Sequence, residues 1–89
     1  MEFEWDHTKS AGNLRKHGVG FDEAATVFGD SLAITYQDPD HSRGEERLIT
    51  FGLSEQGRYL VVSHTSRPRI RIISARRMTR RERRIYEEN

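Results

Sequence analysis

Polar and apolar positions alternate at the start of the chain, Glu2-Phe3-Glu4-Trp5, and place both aromatics on one side. That is the pattern of a short half-buried strand. Asp6 then reads as a helix N-cap, its carboxylate accepting from the free amides of a first turn. The helix is predicted over about His7 to His17, with Gly18 as a left-handed terminator. Ser10 and Gly12 interrupt it and lower its propensity, so tertiary packing must hold it. Ala11 and Leu14 give it a thin apolar stripe, while Lys9, Asn13 and Lys16/His17 form a polar row on another face. A second helix follows, with Asp22 as N-cap candidate after Phe21 and Glu23 in the first turn. Ala24, Val27 and Phe28 line its buried face, and Gly29-Asp30 ends it.

From Leu32 the period changes to two. Leu32 to Gln37 alternates as a strand, Asp38-Pro39-Asp40 is turn chemistry, and the polar segment through Gly44 reads as a loop. Arg47 to Leu53 is the next strand, with Ile49, Phe51 and Leu53 on one face, and Ser54-Glu55-Gln56-Gly57 is a hairpin loop. Two more strands, Tyr59 to His64 and Ile70 to Ala75, flank a turn at Ser66-Arg67-Pro68. Thr79-Arg80-Arg81-Glu82 matches a capping box and opens a last helix, toward which Met78, Ile85 and Tyr86 can pack inward. Strand, two helices, four strands and a helix, without a repeat or linker, predict one α+β domain with a mostly antiparallel sheet.

Charge changes the picture. Residues 58–89 carry ten arginines against Glu82, Glu87 and Glu88, a net +7; residues 1–57 carry five bases against eleven acids, a net −6. The overall +1 hides this asymmetry. Every base of the second half is Arg, whose planar fork of donors matches phosphate better than an ammonium does. A phosphate or nucleic-acid partner is implied, or else an acidic protein. The chain has no cysteine, which excludes disulfides, thiol nucleophiles and Cys-ligated zinc and suits a reducing cytoplasm. Its apolar runs are too short to span a membrane, and no signal peptide follows Met1. His7, His17, His41 and His64 are scattered without metal-ligand spacing, and Pro39 breaks any calcium-loop pattern in the acidic stretch, so neither metal nor cofactor is expected.

Phe3-Glu4-Trp5-Asp6 followed by Lys9, Asn13 and Lys16-His17-Gly18-Val19 resembles the opening of BrnT-family toxins. Phe21, Phe28-Gly29-Asp30, Glu46-Arg47, Gly57-Arg58, Ile72 to Arg76 and Arg81-Glu82-Arg83 continue the resemblance over nearly the whole chain. It implies a RelE-like fold and a ribonuclease toxin of a type II toxin–antitoxin pair. It also implies a BrnA-like ribbon-helix-helix antitoxin partner that reaches DNA on behalf of both.

Cleavage without a metal would proceed by attack of an RNA 2′-OH on its own phosphate, which needs in-line placement, charge stabilisation and two proton transfers. Arg47, Arg58, Arg71 and Arg76 lie in or beside strands and are candidates for holding the phosphate. His17, His64, Glu46 and Tyr86 are candidates for proton transfer, a free histidine pKa of about 6.5 being suited to it. The catalytic set is therefore expected among His17, Glu46, Arg47, Arg58 and Arg76, and RNA binding at Lys16, Arg71, Arg77, Arg80 and Tyr86. Arg58 and Arg76 are both expected to be replaceable without loss of folding. The bland readings remain open beside these: solvated strand arginines, a helix-capping His17, a core-edge His64. A noncatalytic basic module that binds nucleic acid or an acidic protein is the alternative to the nuclease.

Overall fold

The computed structural model describes residues 2–40, 44 and 46–89. Its elements are β1 (Phe3–Glu4), α1 (His7–His17), α2 (Phe21–Thr26) running on into a 3-10 turn (Val27–Gly29), β2 (Ile34–Gln37), β3 (Leu48–Leu53), β4 (Tyr59–His64), β5 (Ile70–Arg77) and α3 (Arg80–Glu87). The expected α+β class holds. The sheet, however, has five strands in the order β1-β5-β4-β3-β2 rather than four beside a separate N-terminal strand. β1 joins it in parallel, with Phe3 opposite Ile70 and Glu4 opposite Arg71, and the other neighbours are antiparallel. The loop expected through Gly44 includes residues 41–43, which lie outside the described residues.

Strand alternation gives the sheet two working faces. On one, Leu60, Val62, Ile72 and Ala75 meet Val19, Phe21, Ala24 and Val27 in the main core, with Phe3 and Trp5 packed against it from the same side as the alternation predicts. On the other, Phe51 and Val61 meet Tyr86 of α3, with Ile34, Ile49, Tyr59 and Met78 around them. Each fully buried Phe, Leu or Val contributes about 1.5–3 kcal/mol. The 3-10 turn sits so low on β3 that a Cβ added at Gly52 would stand 2.5 Å from Val27 Cγ1. Only glycine permits that approach.

α1 begins and ends where its capping residues predict: Asp6 accepts from Lys9 N at 3.0 Å, and Gly18 takes φ 74° at the C-cap. Its packing differs from expectation. No residue of α1 is buried, Ala11 is exposed and Leu14 is 55 % exposed, so the apolar stripe faces solvent. The polar row docks the helix instead. Asn13 Nδ2 donates to Val19 O and to Ala75 O, both at 2.7 Å, and Asn13 Oδ1 accepts from Ala75 N at 3.3 Å. Ser10 Oγ accepts from Phe21 N at 2.9 Å. The cause lies in β1, which pairs only with Ile70 and Arg71. Beyond them the outer edge of β5 has no strand, and the Asn13 amide supplies the donor and acceptor that a strand would have offered.

Other boundaries shift for local reasons. α2 starts at Phe21 with Gly20 at its N-cap and no side-chain cap, so Asp22 lies in the first turn and not before it. β2 starts at Ile34, because Leu32 N and Ala33 N are turned onto Asp30. β5 runs on to Arg77, its last turnward contact being Met78 N on Tyr59 O at 2.9 Å. The capping box of α3 is complete: Glu82 N donates to Thr79 Oγ1 at 3.1 Å and Thr79 N to Glu82 Oε1 at 2.8 Å. Ile85, expected inward, is 37 % exposed, and Tyr86 is the buried anchor.

Candidate active site

A cleft of about 180 Å³ opens on the α3 side of the sheet, lined by apolar Ile49, Phe51 and Val61 and by Ser63, Ser74, His17, Arg76 and Glu82. Alternation explains the strand residues: Ile49 pairs with Ser63 and Ser63 with Ser74. Arg76 pairs with Val61 on the same face. His17 reaches the cleft as the last residue of α1, and the backbone beyond it is tethered twice. Asn13 holds Val19 O, and Arg58 Nη2 donates to Gly18 O at 2.7 Å.

Arg76 is fixed by Glu82. Nη1 donates to Glu82 Oε1 at 2.7 Å and Nη2 to Oε2 at 2.8 Å, while Nη1 also reaches Arg77 O at 3.2 Å. Such a two-pronged pair fixes the guanidinium plane as well as its position. It also commits one end of the fork only. The edge formed by Nε and the second Nη2 hydrogen meets no acceptor among the described residues, and it is the edge that can take a phosphate. Glu82 is held down to about 2 by the hydrogen bonds from Arg76, against the opposing effect of burial, and with help from Thr79 N. The same contact raises Arg76 above the ordinary arginine value. Near neutrality the pair is fully charged, and Glu82 is too weak a base to move a proton.

The remaining sequence candidates are dispersed. Arg47 and Arg71 line a separate cavity of about 310 Å³ with Asp6, Lys9, Ile72 and Ile73. Arg58 and Arg77 border a third, of about 370 Å³, with Tyr59 and Arg83. Arg58 itself turns toward α2. Its Nε donates to Glu23 Oε2 at 2.9 Å, its Nη2 contacts Glu23 Oε1, and Ser54 Oγ donates to Glu23 Oε2 at 2.7 Å. Glu23 is only 4 % exposed, and the Arg58 hydrogen bonds lower its pKa against the desolvation that would raise it. Arg58 is therefore the partner of a buried carboxylate and does not stand clear of the core as expected.

Tyr86 is buried, its ring edge-on to Tyr59 and its hydroxyl donating to Asp30 Oδ2 at 2.6 Å. Burial, then the Asp30 hydrogen bond, pushes its pKa up to about 12, so it has neither an open face nor a mobile proton. His64 is on the helix side, 3 % exposed, between Thr50 Oγ1 at 2.7 Å and Thr65 O at 2.8 Å. Glu46 accepts from Gln37 Nε2 at 3.2 Å on the exposed surface, and Lys16 and Arg80 are exposed on their helices.

Residues 5–82 match the family model described as the ribonuclease toxin, BrnT, of type II toxin-antitoxin systems. The chain belongs to the BrnT family. No curated protein shows significant similarity to it. BrnT membership makes this a ribonuclease toxin of a type II toxin–antitoxin system, which implies a protein antitoxin as partner. Of the residues that line the cleft of this BrnT chain, sequence reasoning names His17 and Arg76 as candidates and does not name Ser63, Ser74 or the contact of Glu82 with Arg76. The serines carried a signal, Ser63 falling in phase with Val61 on β4 and Ser74 in phase with Arg76 on β5. Glu82 carried none, because its capping role already accounted for it. Among the described residues no helix is long and apolar enough to cross a membrane.

Proposed function

We propose that the chain is a metal-independent endoribonuclease whose chemistry takes place in the cleft between β5, the end of α1 and the start of α3. The observation that carries this reading is Arg76, held in plane by Glu82 beside His17 with its remaining edge open. A phosphodiester lying on that edge has its non-bridging oxygens facing fixed donors, so the charge gained as the 2′-OH attacks is stabilised without reorganisation. Ser63 and Ser74 offer hydroxyls to the same group, and Ile49, Phe51 and Val61 keep the local dielectric low. His17 is the imidazole that lines the cleft and is assigned as proton donor to the leaving 5′-oxygen, the 2′-OH proton passing to solvent water. Metal independence is supported by the donor set: the cleft has one carboxylate, and both its oxygens are occupied by Arg76 and Thr79.

The products would be 2′,3′-cyclic phosphate (or 3′-phosphate) ends and free 5′-hydroxyls. Incubating the purified chain with RNA in EDTA and mapping the ends tests this. Activity lost to EDTA and restored by Mg²⁺ sinks the mechanism. RNA bound but never cut supports the noncatalytic module instead. In the cytoplasm the nuclease must be restrained until needed. We infer that a BrnA-like ribbon-helix-helix dimer does this, its two-fold symmetry accommodating two toxins in a heterotetramer, with DNA contacted through the antitoxin alone.

A further inference from the structure

The cavity lined by Lys9, Arg47 and Arg71 is left without a task by a reaction centred on His17 and Arg76. Its place is informative. Arg71 and Arg76 are five positions apart on β5, and Lys9 and His17 eight apart on α1. Asn13 binds α1 to β5 at Ala75, and Lys9 and Arg71 share the cavity, so the two rows run side by side in the same direction. One row sets the Lys9/Arg71 end apart from the His17/Arg76 end by ~12 Å of helical rise, and the other by at most ~16 Å of strand rise, since β5 passes a register irregularity between Ile72 and Ser74. Both ends rest on α1 and β5, so the spacing is built into the fold. Arg71 turns away from the core, since its neighbour Ile72 is buried in it and Glu4, opposite Arg71, lies between core-packed Phe3 and Trp5.

Asp6 lines this cavity and Glu4 contacts its Arg71, and neither closes it to an anion. Asp6 is committed to the N-cap of α1, where the Lys9 amide does most to hold its pKa down. Glu4 stands 3.8 Å from Arg71 Nη1, with the Arg71 side chain 51 % exposed. An exposed pair at that distance holds weakly.

We propose that this cavity is a second phosphate-binding subsite for single-stranded RNA, which anchors the strand a few nucleotides from the scissile bond. The proposal rests on the ribonuclease reading of the cleft and adds to it a minimum substrate length. A paired strand is unsuited, because the A-form backbone does not bring the 2′-OH in line with its leaving oxygen. Lys9 and Arg71 then raise affinity without taking part in bond breaking, and Arg47, beside them, belongs with binding.

The test compares a cleavable RNA dinucleotide with a decamer, using Lys9→Ala, Arg71→Ala and the double variant. For the decamer KM rises roughly threefold to tenfold per substitution with kcat unchanged, and the log–log salt slope falls by about 0.7 per cation removed. For the dinucleotide neither constant moves. Equal effects on both lengths, or a fall in kcat alone, overturn the proposal by placing these residues in the cleft; no effect on either also overturns it. Anisotropy of a 2′-deoxy-blocked decamer reads the subsite without cleavage. Weakened decamer binding in the double variant, beside a wild-type chain that cuts nothing, would retain the subsite and reject the nuclease.

Discussion

Arg76 and Glu82 show how one pair of side chains can serve both fold and chemistry. Glu82 closes the capping box of α3 and orients the guanidinium in the cleft. Arg76→Ala should lower kcat by roughly tenfold to a thousandfold, the usual loss for one charge-stabilising donor. Glu82→Gln should preserve the charge of Arg76 yet free its plane, giving a smaller loss in kcat with α3 still folded by circular dichroism. Full rate in both folded variants would move the reaction elsewhere. Arg58→Ala should behave differently, because it strands the buried Glu23 carboxylate: about 3 kcal/mol of stability is expected to go, with partial recovery when Glu23→Gln is added. Chemical denaturation of the single and the double variant measures this. His64 supplies a pH signature. Burial lowers its pKa in the folded chain, so the unfolded state binds the extra proton more readily. Its contribution to stability is whole above the unfolded value of about 6.5 and is lost as pH falls from there toward the lower folded value. Melting temperature followed from pH 7.5 to 5 should fall for the natural chain and fall less for a folded His64→Gln variant.

At the scale of elements, ends were legible and docking was not. Asp6, Gly18, Thr79 and Glu82 announce their helix termini through local chemistry, and the structure keeps all four roles. β4 likewise stands at the limits its alternation predicts. Which face α1 buries depends on a non-local fact, that β1 stops after two pairs and leaves the edge of β5 open, and no pattern within residues 7–17 encodes it. The same limit applies to the cleft. Arg76 and His17 were legible as chemical types, but Arg58, beside β4, was equally eligible with Arg76 and is turned away by meeting Glu23, 35 residues distant. The docking of α1 makes its own prediction. Asn13→Ala should cost about 1–3 kcal/mol by leaving the Ala75 and Val19 groups unpaired, and it should lower kcat because His17 loses its anchor. Leu14→Ala should change stability by less than about 0.5 kcal/mol, since the side chain already faces solvent. Thermal melts and single-turnover rates on the two variants decide whether α1 is held by its polar or its apolar row.

For the whole molecule, folding redistributes the charge that the sequence separates. Arg58 meets Glu23, Arg69 meets Glu2 and Glu4, and Arg71 meets Glu4, so acids of the first half neutralise bases of the second. Arg76 and Arg83 are paired within the second half. Among the described residues of the second half, the arginines without an ion pair within 4 Å are Arg67, Arg77, Arg80, Arg81 and Arg84, and the last three stand on α3. Their mutual repulsion at helical spacing is a cost that an anionic partner relieves. The antitoxin is therefore expected to lay an acidic or extended segment along α3 and the end of β5, where it blocks access to Arg76 and neutralises the helix together. Co-purification with the neighbouring reading frame, followed by hydrogen-exchange footprinting, should show protection over Arg76 to Arg84. The Arg80→Glu, Arg81→Glu, Arg84→Glu triple variant should lose the complex while keeping its fold, since all three side chains are exposed. The loss should be greatest at low salt, where unscreened charge contributes most. Protection confined to the acidic stretch ending at Glu46, with the triple variant still bound, would place the partner on the other side of the molecule and leave the α3 arginines to RNA alone.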